Sequence, residues 1–205
     1  MRGPKEKKER RIGERLNLKA DRCQSPKCAM VRKPYQPGAH GPTGRRRALS
    51  EFGVQLREKQ KVKISYGLDE RNLRQLFVSA QKTKGSSSSK LVELLERRLD
   101  NVIMKLGLAA SRNIARQLVV HGHVLVNKKK VWSPGFSVKA GDLINIKPGS
   151  ESKLFFEKRR EVLAKYEPPA WLHLDAGKLE GKVLSLPQES SVPFEASLLI
   201  ESFSK

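Results

Sequence analysis

Apolar residues recur at three- and four-residue spacing through residues 91–106, at Leu91, Leu95, Leu99, Val102 and Leu106. That period predicts one amphipathic helix whose stripe leaves Arg97, Arg98 and Lys105 on a basic edge. Gly107 can take the left-handed conformation that ends it. Ser111 is a suitable N-cap for a second helix, in which Ile114, Ala115 and Leu118 face inward while Arg112 and Arg116 lie four apart. This helix stops at Gly122. Beyond it the period falls to two. HVLVN alternates like a strand, Lys128, Lys129 and Lys130 make a charged turn, and LINIK alternates again after PG and GD turn signals. Residues 91–147 therefore read as helix, turn, helix and a short twisted sheet.

The flanking segments are mainly helical. Ser50 can cap a helix with Phe52, Leu56 and Gln60 in register, which Gly67 ends, and Asp69 can cap a second with Leu73, Leu76, Phe77 and Ala80 inward. GSSSSK at 85–90 reads as a flexible joint. On the far side, Leu154, Phe155, Val162 and Leu163 predict a further helix that ends at Glu167-Pro168-Pro169. WLHLDAGKLEGKVLSLP alternates as two short strands that extend the sheet, and Leu198, Leu199 and Phe203 are available for burial near the C-terminus. Residues 1–50 can form one short helix, but PYQPGAHGPTG carries too much Pro and Gly to continue it and too few apolar groups to offset ordering. The fold class is α+β: a small helical domain, a helix-turn-helix-like unit with a short twisted antiparallel sheet, and a basic extended N-terminal arm.

Charge changes this picture more than composition does. The 205 residues hold 42 Lys and Arg against 21 Asp and Glu, a net charge of +21, with 38% hydrophobic residues. Such an excess would make a compact fold repel itself, so a polyanionic partner is expected. Segment by segment the net charge is +11 over residues 1–50 (15 basic, 4 acidic) and +5 over 51–90 (9 basic, 4 acidic). It is +8 over 91–160 (14 basic, 6 acidic) and −3 over 161–205 (4 basic, 7 acidic). The polyanion is expected to face the first three segments. No apolar run approaches the ~20 residues that span a bilayer, and no secretory h-region follows Met1, so no membrane partner and a cytoplasmic location are expected.

The stretch LLERRLDNVIMKLGLAASRNIARQLVVHGHVLVN closely resembles the RNA-binding module named after ribosomal small-subunit protein four, in its RLDN, SR, ARQLV, HGH and VN. That module also occurs in pseudouridine synthases and tyrosyl-tRNA synthetases. The flanks PGAHG (37–41), FGVQLREKQKVKISYGLDERNLRQLF (52–77) and WLHLDAGKLEG (171–181) resemble the bacterial-type ribosomal protein family itself, so the likeness spans nearly the whole chain. It implies a basic N-terminal extension (1–50), a helical domain (51–90) completed by a returning C-terminal segment (190–205), and the module with its sheet extension (91–189). It also implies direct binding of small-subunit ribosomal RNA early in assembly, at a junction of several helices. Neighbouring small-subunit proteins five and twelve, messenger RNA near its entry path and a part in decoding accuracy are implied with it. Lys128 stands where the family usually has Gly, and PGF (134–136) replaces its usual SY, so the turn there is expected to differ.

The residues expected to meet RNA are Arg45, Arg46, Arg47, Arg97, Arg98, Arg112, Arg116, His121, His123, Lys128, Lys129 and Lys130. Asp100 is expected as an ion-pair partner for Arg97 or a nearby cation. Cys23 and Cys28 flank a Ser-Pro turn and could supply half of a tetrahedral zinc site. Some family members carry four cysteines here, whereas this chain has two in all and would need His40 and an outside ligand; two reduced thiols and no metal are the expectation. The sequence contains no HExxH, GxSxG, P-loop or GxGxxG turn, so neither a catalytic set nor a cofactor is expected. An RNA-modifying or tRNA-charging enzyme using the same module is the alternative.

Overall fold

The computed structural model describes residues 4–44, 48–83, 85–150, 154–187 and 192–204. Two units emerge from it, Met1–Val92 with Ser191–Lys205, and Glu93–Ser190. The chain runs α1 (Lys5–Ile12), α2 (Asp21–Gln24), α3 (Ala29–Arg32), α4 (Glu51–Tyr66), α5 (Glu70–Gln81), α6 (Ser87–Glu96), α7 (Leu99–Lys105) and α8 (Arg112–Val120). It continues through β1 (Val124–Val126), β2 (Lys129–Lys130), β3 (Leu143–Ile146), α9 (Leu154–Leu163), β4 (Leu172–Asp175), β5 (Glu180–Val183) and α10 (Ala196–Ser204).

In the first unit the expected caps form. Ser50 Oγ accepts from Gly53 N at 3.2 Å, Asp69 Oδ1 accepts from Asn72 N at 2.9 Å, and Gly67 ends α4 with φ 64°. The face of α4 differs from the expected stripe. Phe52 is 62% exposed and Leu56 is also exposed, while Gln55, Lys61, Val62, Ser65 and Tyr66 are buried. Partners distant in sequence make the polar burial tolerable: Gln55 Nε2 donates to Glu201 Oε2 of α10 at 2.9 Å, and Lys61 Nζ lies 2.6 Å from Glu14 Oε2. On α5, Leu73, Phe77 and Ala80 are buried, and the Phe77 ring stacks on Phe203 of α10 with centroids 4.7 Å apart. The N-terminal segment has a small core after all, in which Ile12, Leu16 and Leu18 pack with Ile64 of α4. Buried Glu9 organises it, its Oε1 accepting from Leu16 N and Leu18 N at 3.1 Å each. The serine run is not a plain loop. Lys90 N donates to Ser86 O and α6 starts at Ser87, because Leu91 and Leu95 on the same run are fully buried and draw it into the helix.

In the second unit, helices and a sheet share one core, including Leu99, Val102, Ile103 and Leu106 of α7, Ala115, Leu118 and Val119 of α8, and Val124, Val126, Ile144, Ile146, Leu172 and Val183 of the strands. The antiparallel sheet has the order β2-β1-β3-β5-β4, so the two late strands extend it. Its register pairs Val124 with Ile146 and Val126 with Ile144, and Ile144 with Gly181, which puts all five on the buried face. A Cβ at Gly181 would lie 2.3 Å from Leu106 Cδ1, so α7 packs directly on the backbone of β5. The inward residues of α9 are Phe156 and Leu163; Phe155 and Val162 are exposed.

Candidate nucleic-acid interface

The single helix expected over 91–106 is two. Arg98 leaves the helical region, with φ −65° and ψ 136°, and becomes the N-cap of α7. The loop after β2 binds across this break. Leu99 N donates to Phe136 O (2.8 Å), Asp100 N to Pro134 O (3.1 Å) and Val138 N to Arg97 O (3.0 Å), with a bridge between Arg98 and Ser137. The Arg98 side chain is buried and grips Asp100 with two bonds, Nε to Oδ1 at 3.2 Å and Nη2 to Oδ2 at 2.8 Å. Arg97 is half-buried, donating from Nη1 to Glu93 Oε1 and from Nε to Val138 O, each at 2.9 Å. Neither arginine stands on a basic edge. Both hold the loop and the helix start together, and Asp100 has its ion-pair partner in Arg98, a nearby cation as expected.

The break also builds a support for α8. Asn101, fully buried on the first turn of α7, donates from Nδ2 to Glu96 O and to Glu96 Oε2, both at 3.0 Å. Its Oδ1 accepts from Arg112 Nε at 2.7 Å. Ser111 caps α8 as expected, its Oγ accepting from Ile114 N at 3.4 Å. A buried amide thus sets the angle at which the Arg112 guanidinium leaves the core. Neither Glu96 nor Asn101 is among the residues expected at the site. Their signal was two polar residues set among the leucines of an apolar stripe.

Around this support the structure brings most of the expected cations onto adjacent elements. Arg116 is exposed one turn beyond Arg112, and exposed His121 caps the C-terminus of α8. His123 is half-buried, its Nδ1 3.0 Å from Ser150 Oγ, with its ring centroid 6.4 Å from that of His121. Asn127 and Lys128, with φ 50° and 66°, form the two-residue turn joining β1 to β2, and Lys128, Lys129 and Lys130 are exposed. Two successive positive φ values are those of a type I′ hairpin turn, so the turn keeps a left-handed geometry although lysine occupies a position suited to glycine. Lys128→Gly should therefore raise stability by about 1 kcal/mol by removing the strain of a side chain in that region. Urea unfolding measures it, and a fall in stability would contradict the strain argument. Arg45, Arg46 and Arg47 lie outside the described residues.

The first unit holds a second basic concavity, missed by the sequence reading except as bulk charge. A cavity of about 490 Å³ is lined by Lys7, Arg10, Arg22, Lys27, Arg32 and Lys33, with Glu6 the acidic member. Arg10 also builds its wall, donating from Nε to Lys33 O at 2.8 Å and to Tyr35 O at 3.1 Å. Nearby, Cys23 and Cys28 are buried free thiols. Burial pushes the Cys23 thiol above its ordinary range; the Lys19 backbone N–H on its sulfur opposes this, and the Glu9 carboxylate, whose Oε2 lies 4.0 Å from Sγ, adds to it. His40 is exposed, and the described residues contain no metal-holding group of three or more His, Cys, Asp or Glu.

Two helices joined at a tight turn, packed on an antiparallel sheet and edged with cations along the second helix and a hairpin, make an RNA-binding module of the S4 class. Residues 97–144 match the S4 domain. Residues 1–96 match the ribosomal protein S4/S9 N-terminal domain. The chain is 48% identical over 198 residues to small ribosomal subunit protein uS4 of Caldicellulosiruptor bescii, covering 96% of this chain and 94% of that one. It is 45% identical, with the same coverage, to the uS4 proteins of Halothermothrix orenii and Acetivibrio thermocellus. The chain belongs to the family of small ribosomal subunit protein uS4. That membership places it among ribosomal proteins and outside the enzymes. Among the described residues no helix is long and apolar enough to cross a membrane.

Proposed function

We propose that this chain is a structural component of the small ribosomal subunit that binds small-subunit ribosomal RNA directly, through α8, its C-cap and the β1–β2 turn. One observation carries the reading. Arg112 is held by buried Asn101 while Arg116, His121, Lys128, Lys129 and Lys130 stand exposed on neighbouring elements of the same rigid unit. Double-stranded RNA hides its base edges in a deep narrow groove, so a stiff array of cations reads shape, phosphates and 2′-hydroxyls. The basic cavity of the first unit and Arg45, Arg46 and Arg47 supply further phosphate contacts in this reading. Early assembly at a multi-helix junction belongs to it too. So does a part in translational accuracy beside proteins five and twelve, with the N-terminal segment near the entry path of messenger RNA. Family membership supports each of these.

Footprinting the purified protein on small-subunit ribosomal RNA tests the proposal. Protections should cluster at one junction, and affinity should fall steeply with salt. Six to ten phosphate contacts would cost roughly three to five decades between 50 and 200 mM, on the scale of duplex DNA. Equal affinity for unrelated folded RNA at physiological salt would overturn it.

A further inference from the structure

Trp132 follows directly on the Lys128–Lys130 run and is 61% exposed. A ring this large normally gains by burial, yet the chain on both sides of it is fixed. Before it, half-buried Val131 packs on the core and donates from its N to Val124 O. After it, Phe136 N donates to Ser133 O at 3.1 Å, while Pro134 O and Phe136 O accept from the first residues of α7. The indole also has a seat. Gly122, with φ 69°, lies just past the end of α8, and a Cβ there would stand 3.0 Å from Trp132 Nε1. Glycine thus lets the pyrrole edge rest against the C-terminal turn of the helix, next to His121. An aromatic side chain held rigid in solvent, between a run of three lysines and a histidine, matches what nucleic-acid surfaces use to stack bases.

We propose that Trp132 is a stacking platform for one unpaired base of the bound RNA, with Lys129, Lys130 and His121 engaging the phosphates beside it. The inference rests on the RNA-binding role proposed above and adds a single-stranded nucleotide to a surface otherwise suited to duplex shape. Charge decides for RNA over an apolar protein partner, because the residues around the ring are cationic.

The test uses the full-length protein and small-subunit ribosomal RNA. Binding should change the intrinsic tryptophan fluorescence, and Trp132→Phe should abolish that change although Trp171 remains. Trp132→Ala should raise Kd by about 5- to 150-fold, the range of one lost base stack, without altering the salt dependence. Trp132→Phe should keep most of the affinity, whereas Lys129→Ala should lower the salt slope by about one. Wild-type binding with unchanged fluorescence, or equal affinity of wild type and Trp132→Ala, would overturn the platform and leave the RNA-binding role standing. Failure of the wild type to prefer this RNA would strike that role first, and the platform with it.

Discussion

Asp100→Ala is expected to destabilise the second unit by about 3–5 kcal/mol, the usual cost of leaving one member of a buried ion pair without its partner. Arg98 is largely shut off from water. It is 8% exposed, both of its bonds to Asp100 are internal, and its backbone bridges Ser137. The stranded charge should loosen the 134–138 loop as well, since that loop is bonded to the same helix start. Chemical denaturation of the full chain measures the effect. The double change Arg98→Met with Asp100→Leu should recover much of the loss, because apolar side chains of similar volume need no pairing. A loss below about 1 kcal/mol for Asp100→Ala would mean that solvent reaches Arg98.

Arg116→Glu is expected to weaken binding to small-subunit ribosomal RNA by about 10- to 150-fold, the worth of one charge-assisted contact. Arg116 is exposed, and its place on α8 is set by residues on the opposite side of the helix, Ala115, Leu118 and Val119. Arg112→Glu should behave differently. Its Nε satisfies the buried Asn101 carbonyl oxygen, so the change should lower stability as well as affinity, and the two losses should appear together. A charge reversal at Arg116 that left affinity intact would remove α8 from the contact surface. An Arg112→Glu variant as stable as the wild type would show that the Asn101 support is dispensable.

Much of the fold was legible because local chemistry and packing agree. Ser50, Asp69 and Ser111 cap their helices, Gly67 and Gly107 end theirs with positive φ, and the alternation in HVLVN and LINIK becomes paired strands with valine and isoleucine inward. Periodicity misled where burial is polar. On α4 the apolar positions Phe52 and Leu56 point outward, because Gln55 and Lys61 find partners in Glu201 and Glu14, far away in sequence. A count of apolar spacing has no means of registering such bonds. On α9 the same count places Leu163 correctly but takes Phe155 and Val162, which are exposed, and leaves out Phe156, which is buried.

The candidate site divides in the same way. The sequence by itself determined that the partner is a polyanion, that α8 and the turn after β1 carry the cations, and which family the RLDN, SR, ARQLV and HGH residues resemble. These depend on charge, spacing and residue type, which are properties of the chain before it folds. Only the tertiary structure decided that the cations divide into two kinds. Arg97 and Arg98 are held inward because the 134–138 loop closes over the start of α7, while Arg116 and Lys128–Lys130 stay in solvent and Arg112 is aimed by a buried amide. An arginine in sequence is the same cation in either role. What separates the two is burial beneath the 134–138 loop, and that is settled only when the loop returns to the start of α7, as when Arg97 donates to the Val138 carbonyl 41 positions on.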